Sequence, residues 1–188
     1  MKTVGIIVGT LVVELIMLVL FVNSGLYNVS TASPDPGFIH WVFSRTSDNS
    51  AEHYSKDIAV PSLTDSAMVV EGYGHYHEMC ETCHGGPGVE RSEIGMGLYP
   101  HPPNLMHSAK EMGPGRLFWV IKNGIKSTGM PGFWKTHTDK QIWAIVAFLE
   151  RMKDMTPQEY AAMQSAGMHD HAMVQEHADK PLRKAVKK

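Results

Sequence analysis

The sequence predicts an all-α protein, and three stretches carry that expectation: a long apolar run near the amino terminus, a capped segment leading into a cysteine pair, and a helix-start signature near the carboxyl end. The first is VGIIVGTLVVELIMLVLFV, from Val4 to Val22, 19 residues interrupted by one carboxylate. At about 1.5 Å of rise per residue a helix of that length nearly spans a bilayer core, so residues 1–22 are expected to form a transmembrane anchor. The rival reading is a cleaved signal peptide. Its apolar region usually runs to about 7–15 residues and ends near a small-x-small site, for which Ser30-Thr31-Ala32 is a poor candidate.

Lys2 precedes the run and no basic residue follows until Arg45, so the positive-inside rule places the amino terminus in the cytoplasm and everything after Asn23 outside. Glu14 falls mid-helix, where a carboxylate is costly unless protonated, paired or turned toward another helix. Gly5 and Gly9 give a small-xxx-small spacing that would admit a partner transmembrane helix, against the plainer reading of a lone anchor with incidental glycines.

Residues 23–66 read as a connector. Ser33-Pro34-Asp35-Pro36-Gly37 opens it, and the apolar hexamer Phe38 to Phe43 is too short to span a bilayer. Aromatics just outside an anchor settle at headgroup level, which predicts a short interfacial helix here, with docking on a partner subunit as the alternative. Asp48 to Pro61 then reads as a polar spacer, ending where Thr64 or Asp65 caps a helix through Met68 to Cys80. At the other end, Thr156-Pro157-Gln158-Glu159 combines an N-cap, a first-turn proline and a capping-box glutamate, which predicts a helix through Met163.

The chemistry is concentrated in Cys80-Glu81-Thr82-Cys83-His84, a C-x-x-C-H pentapeptide. One helical turn presents both thiols on one side for thioether bonds to the two vinyl groups of a haem, and the adjacent imidazole reaches the iron. A thioredoxin-like dithiol would need a βαβ context, and half of a zinc site would need a second ligand pair; neither is present in the sequence. With only two cysteines, so close together, disulfides are not what holds the fold. Covalent haem attachment requires an extracytoplasmic compartment, which agrees with the side inferred from Lys2.

A sixth iron ligand must come from elsewhere, and the candidates are Met96, Met112, Met130, His101 and His107. The expectation is Met130, because Ser127-Thr128-Gly129-Met130-Pro131-Gly132-Phe133 is a loop able to bring backbone close to a flat cofactor. Met112 and Met96 read equally well as core packing. Thirteen methionines and eleven histidines make any one of them weak evidence outside such a setting. Arg116 and Trp134 are candidate propionate donors by residue type, and His75 and His77 read as surface residues.

From about Asp65 to Lys153 the chain resembles class I c-type cytochrome domains. The resemblance rests on the haem motif, on Gly72 and Tyr76 before it, on Trp143 to Leu149 in a last helix, and on Pro103-Asn104-Leu105. It implies that the helix entering the motif crosses the last helix at a glycine and an aromatic. It further implies that the Pro103 carbonyl accepts a hydrogen bond from the iron-bound imidazole and that Arg116 to Gly124 is a middle helix. The domain boundaries expected are thus 67–153 for the cytochrome and 154–188 for a helical and then flexible tail. The whole chain, with its anchor, Tyr27-Asn28-Val29 and the Trp41 segment, also resembles bacterial anchored monohaem cytochromes of the inner membrane, with the haem domain in the periplasm.

A formal net charge of −2 gives no basic face for phosphate neutralisation, so nucleic acid is excluded as a partner. The expected function is transfer of single electrons between redox proteins, such as a quinol-oxidising complex or dehydrogenase and a terminal oxidase. The protein would be an electron carrier rather than an enzyme. The alternatives are a fixed subunit of a respiratory complex, a haem sensor or peroxidase with an open iron, and a copper-handling protein. The last rests on Met168, His169, His171, Met173 and His177, whose soft and imidazole ligands suit copper.

Overall fold

The computed structural model describes residues 1–165, so the Met- and His-containing tail and its copper reading lie outside the described residues. Those residues are helical and carry no strand beyond an isolated bridge between Gly86 and Val89. The chain divides into two units, Met1–Pro36 and Gly37–Lys188.

The first unit holds α1, Lys2–Asn23, a 22-residue helix long and apolar enough to cross a membrane. It has no buried residue, and ideal Cβ atoms on Gly5 and Gly9 would meet nothing within 4 Å. The segment after it folds on itself. The Ser30 amide donates to Asn28 Oδ1 at 2.9 Å, the Ser33 amide to the Ser30 carbonyl at 3.0 Å, and the Tyr27 hydroxyl to Asp35.

The second unit opens with α2, Gly37–Ser55. The helix expected at Phe38 to Phe43 is present but longer, since the same 19-residue helix takes in Asp48 to Ser55, which corrects the reading of that stretch as the start of a polar spacer. Its carboxyl half is anchored by contacts that a hydrophobic pattern does not display. Arg116 pairs with Asp48 at 2.7 Å and Glu52 at 3.8 Å, Tyr54 stacks on Trp119 at 5.8 Å between ring centroids, and Ala51 is buried.

Helix α3, Ser66–His75, starts where expected, and of the two cap candidates Asp65 is the one used, accepting from the Ala67 amide at 2.9 Å. It runs into a π-helical turn, Tyr76–Cys80, and then α4, Glu81–His84. Short helices α5, Glu93–Gly97, and α6, Leu105–Met112, follow, each with a side-chain cap, from Ser92 and Asn104. Helix α7, Pro114–Asn123, uses a first-turn proline and ends at Gly124, whose φ of 68° lies in the left-handed region.

Helix α8, Asp139–Met152, is the centre of the core. Thr138 and Gln141 close a capping box at its start. Ile142, Ile145, Val146, Leu149 and Met152 fall at i, i+3, i+4, i+7 and i+10 and are all buried. Helix α3 crosses it at Gly72, and the Tyr76 ring lies 5.1 Å from Phe148. Phe118 of α7 stacks on Trp143 at 4.3 Å. Residues 157–165 are helical as expected, capped by the Thr156–Glu159 pair, and Tyr160 is buried in the same core.

Candidate functional site

The thiols of Cys80 and Cys83 stand at the junction of the π-helical turn and α4, with no disulfide between them. Burial pushes the Cys80 thiol up to about 12, with the neighbouring Cys83 adding to it. A thiol held neutral is the opposite of the low-pKa thiolate that redox-active dithiols require. The helix stops at once after His84, because Gly85 takes φ of 68° and its amide closes on the Glu81 carbonyl at 2.8 Å.

His84 is fixed from the far side of the following loop. Its Nδ1–H donates to the Pro103 carbonyl at 2.9 Å, which selects the tautomer with a lone pair on Nε2. Burial and, to a lesser degree, Arg91 lower its pKa, against the raising effect of the Pro103 contact. The imidazole is therefore presented neutral, the form that binds a metal. A cavity of about 570 Å³ adjoins it, lined by His84, Val89, Arg91, Met96, His101 and Asn104 among others. Two thiols one turn apart and an oriented neutral imidazole at the wall of an open cleft fit a covalently held haem.

The loop from Cys83 to Pro103 is tied to the motif rather than left free. Ser92 accepts the Gly95 amide, while its own amide and hydroxyl donate to the Thr82 carbonyl at 3.0 and 2.8 Å. A Cβ on Gly95 would fall 2.9 Å from the Cys83 backbone.

The sixth-ligand candidates separate. Met96 and His101 line the cavity with His84. Met112 packs partly buried against the core, and His107 pairs with Glu111 in solvent. Met130 is absent from the lining of that cavity; it lies partly buried against the core on a loop whose backbone is pinned. Its amide donates to Thr128 Oγ1, its carbonyl accepts from Ile125 at 3.1 Å, and the next residues bond back to the end of α7 through Ile121 and Lys122. Of the residues singled out for the propionates, Arg116 is committed to Asp48 and Glu52 and Trp134 is exposed, whereas Arg91 is the cation beside His84.

One buried cluster escaped the sequence. Glu81, the first variable residue of the pentapeptide, accepts from the Tyr160 hydroxyl at 3.0 Å and from Gln164 at 3.1 Å, and contacts His77. His77 is exposed, as its reading as a surface residue expects, and its ring also meets the buried Glu81 and stacks on Tyr73. Burial chiefly, and then Glu81, raises the Tyr160 phenol, which keeps it a donor. Tyr160→Phe is expected to cost on the order of 1–2 kcal/mol, since it strips a hydrogen bond from a buried carboxyl, and denaturant unfolding of the haem-loaded protein would read the loss.

Residues 67–149 match the protein family described as cytochrome C oxidase, cbb3-type, subunit III. This segment is a class I c-type cytochrome domain. No curated protein matches the chain. As a cytochrome c domain it implies haem c and electron transfer, and Gly72 against α8 and Pro103 on His84 are the contacts the resemblance implied.

Proposed function

We propose that the protein is a membrane-anchored monohaem cytochrome that carries single electrons between respiratory or metabolic redox partners on the extracytoplasmic side. The observation that supports it most directly is His84, whose Nδ1 is taken by Pro103, leaving Nε2 with its lone pair for a metal, directly after Cys83 and one turn beyond Cys80. Haem iron supplies the one-electron couple. Cys80 and Cys83 would hold the macrocycle covalently, and His84 and Met130 would bind its iron. Met96 and His101 line one cavity with His84, whereas Met130 comes from a separate segment between α7 and α8, which suits a second ligand to the iron. With His84 and Met130 both bound to iron, the protein would contribute potential tuning and a docking surface rather than substrate chemistry. Anchoring by α1 would raise the effective concentration of haem near its partners, which matters because redox interfaces are small and weak.

Visible spectroscopy of the purified full chain tests this. One haem that survives acid extraction, is low-spin in both oxidation states, titrates as a single one-electron couple and ignores carbon monoxide is the expected result. A high-spin or carbon monoxide-reactive ferrous form would instead favour gas sensing or peroxide chemistry.

A second reading, a fixed subunit of a larger respiratory complex, is favoured by the description of the matching family and by the Gly5–Gly9 spacing and mid-helix Glu14 of α1. Purification in mild detergent separates the two readings, because a fixed subunit brings membrane partners with it in constant ratio.

A further inference from the structure

Helix α2 has two unlike halves. Its buried residues are Ala51 and Ser55, both in its last two turns, where Arg116, Trp119 and the backbone near Gly115 hold it to α7. Its first two turns are different: Phe38, Trp41 and Phe43 are 69%, 59% and 61% exposed, and Phe38 stacks on Trp41 at 6.1 Å. From Trp41 to Ala51 the helix rises by about 15 Å, so the aromatic end overhangs the part that is bolted down.

The geometry points to α2 as a bracket between bilayer and haem domain, with its aromatic first turns seated in the interface of the same membrane that α1 crosses and its last turns clamped to α7. This rests on the reading of α1 as a membrane anchor. Three observations favour lipid as the occupant. Residues 37–44 carry no Asp, Glu, Lys or Arg, their one titratable side chain being His40, and Arg45 follows directly, one turn beyond Trp41, where a guanidinium meets phosphate rather than acyl chain. Phe38, Trp41 and Phe43 lie at different angles around the helix yet all are exposed, which suits a medium that surrounds a helix end better than a partner that covers one stripe. Only residues 24–36 separate α1 from α2 along the chain, which keeps α2 within reach of the membrane that α1 would cross. A clamped α2 would then fix the tilt of the haem domain, and with it the edge offered to redox partners.

The test uses the haem-loaded full chain in nanodiscs of phospholipid alone. Cys80 and Cys83 are consumed by haem, so Phe38→Cys, Phe43→Cys and Asn49→Cys each provide one thiol for a spin label. The expected result is that labels at 38 and 43 are several-fold more accessible to oxygen than to a water-soluble nickel chelate, while the label at 49 favours the chelate. Labels at 38 and 43 as water-accessible as that at 49 would overturn the proposal. If the protein is released from membranes by alkaline carbonate, the anchor reading has failed; if it is retained and the labels are aqueous, only the bracket has failed. For the clamp, Arg116→Ala should broaden the distribution of haem tilt in oriented multilayers measured by paramagnetic resonance, and an unchanged distribution would count against it.

Discussion

Gly72→Val is expected to destroy the cytochrome domain as a cooperative unit, although it alters one small residue remote from the cofactor ligands. A Cβ at position 72 would lie 1.9 Å from the Ala144 carbonyl oxygen and 2.4 Å from its carbon. Both are backbone atoms of α8, so no rotamer change relieves the clash, and α3 and α8 must separate. Separation opens the contacts of Tyr73 and Tyr76 with Phe148, at 5.5 and 5.1 Å between ring centroids, and these are the middle of the core. A cost on the order of 3 kcal/mol or more follows, a large share of the roughly 5–15 kcal/mol that holds a typical domain. Gly74→Ala is the internal control. Nothing lies within 4 Å of its Cβ position on the same helix, so alanine should stabilise by about 0.5–1 kcal/mol through helix propensity alone. Denaturant unfolding of the haem-loaded proteins measures both, and similar midpoints for the two variants would disprove the close crossing.

How far the sequence could be read depended on whether a residue's role was local. The caps at Asp65 and Thr156 satisfy amides two and three residues away, and such spacings are visible in a string of letters. The cysteine pair and His84 are likewise one turn of helix. Helix α2 was divided wrongly because its docking face is built from Asp48, Ala51, Glu52 and Tyr54, whose partner Arg116 stands 68 positions beyond Asp48. No period of apolar residues marks such a face. Glu81 and Tyr160 are 79 positions apart, and the capping box that announced the helix at 157–165 says nothing of what that helix covers. Gly72 and Pro103 were legible only through the family resemblance. Their partners, Ala144 and His84, are set by the fold rather than by neighbours in the chain.

Met130→His is expected to lower the reduction potential by a few tenths of a volt, within the roughly 0.8 V over which axial ligands move a haem. A thioether stabilises ferrous iron relative to a second imidazole, so exchanging one for the other favours the oxidised form. The loop should tolerate the change. Its backbone is held by the Ile125 amide on the Met130 carbonyl, by the Thr128 hydroxyl accepting the Met130 amide, and by Phe133 and Trp134 amides bonded to α7, none of which uses the thioether. Met130→Ala should leave a vacant coordination position and make the ferrous form bind carbon monoxide. The same substitutions discriminate between ligand candidates, because Met96→Ala and His101→Ala, on the His84 side, should leave the potential and the carbon monoxide inertness nearly unchanged. Redox titration of the four variants decides the matter: a potential that follows His101 or Met96 instead of Met130 would move the sixth ligand into the loop between Cys83 and Pro103.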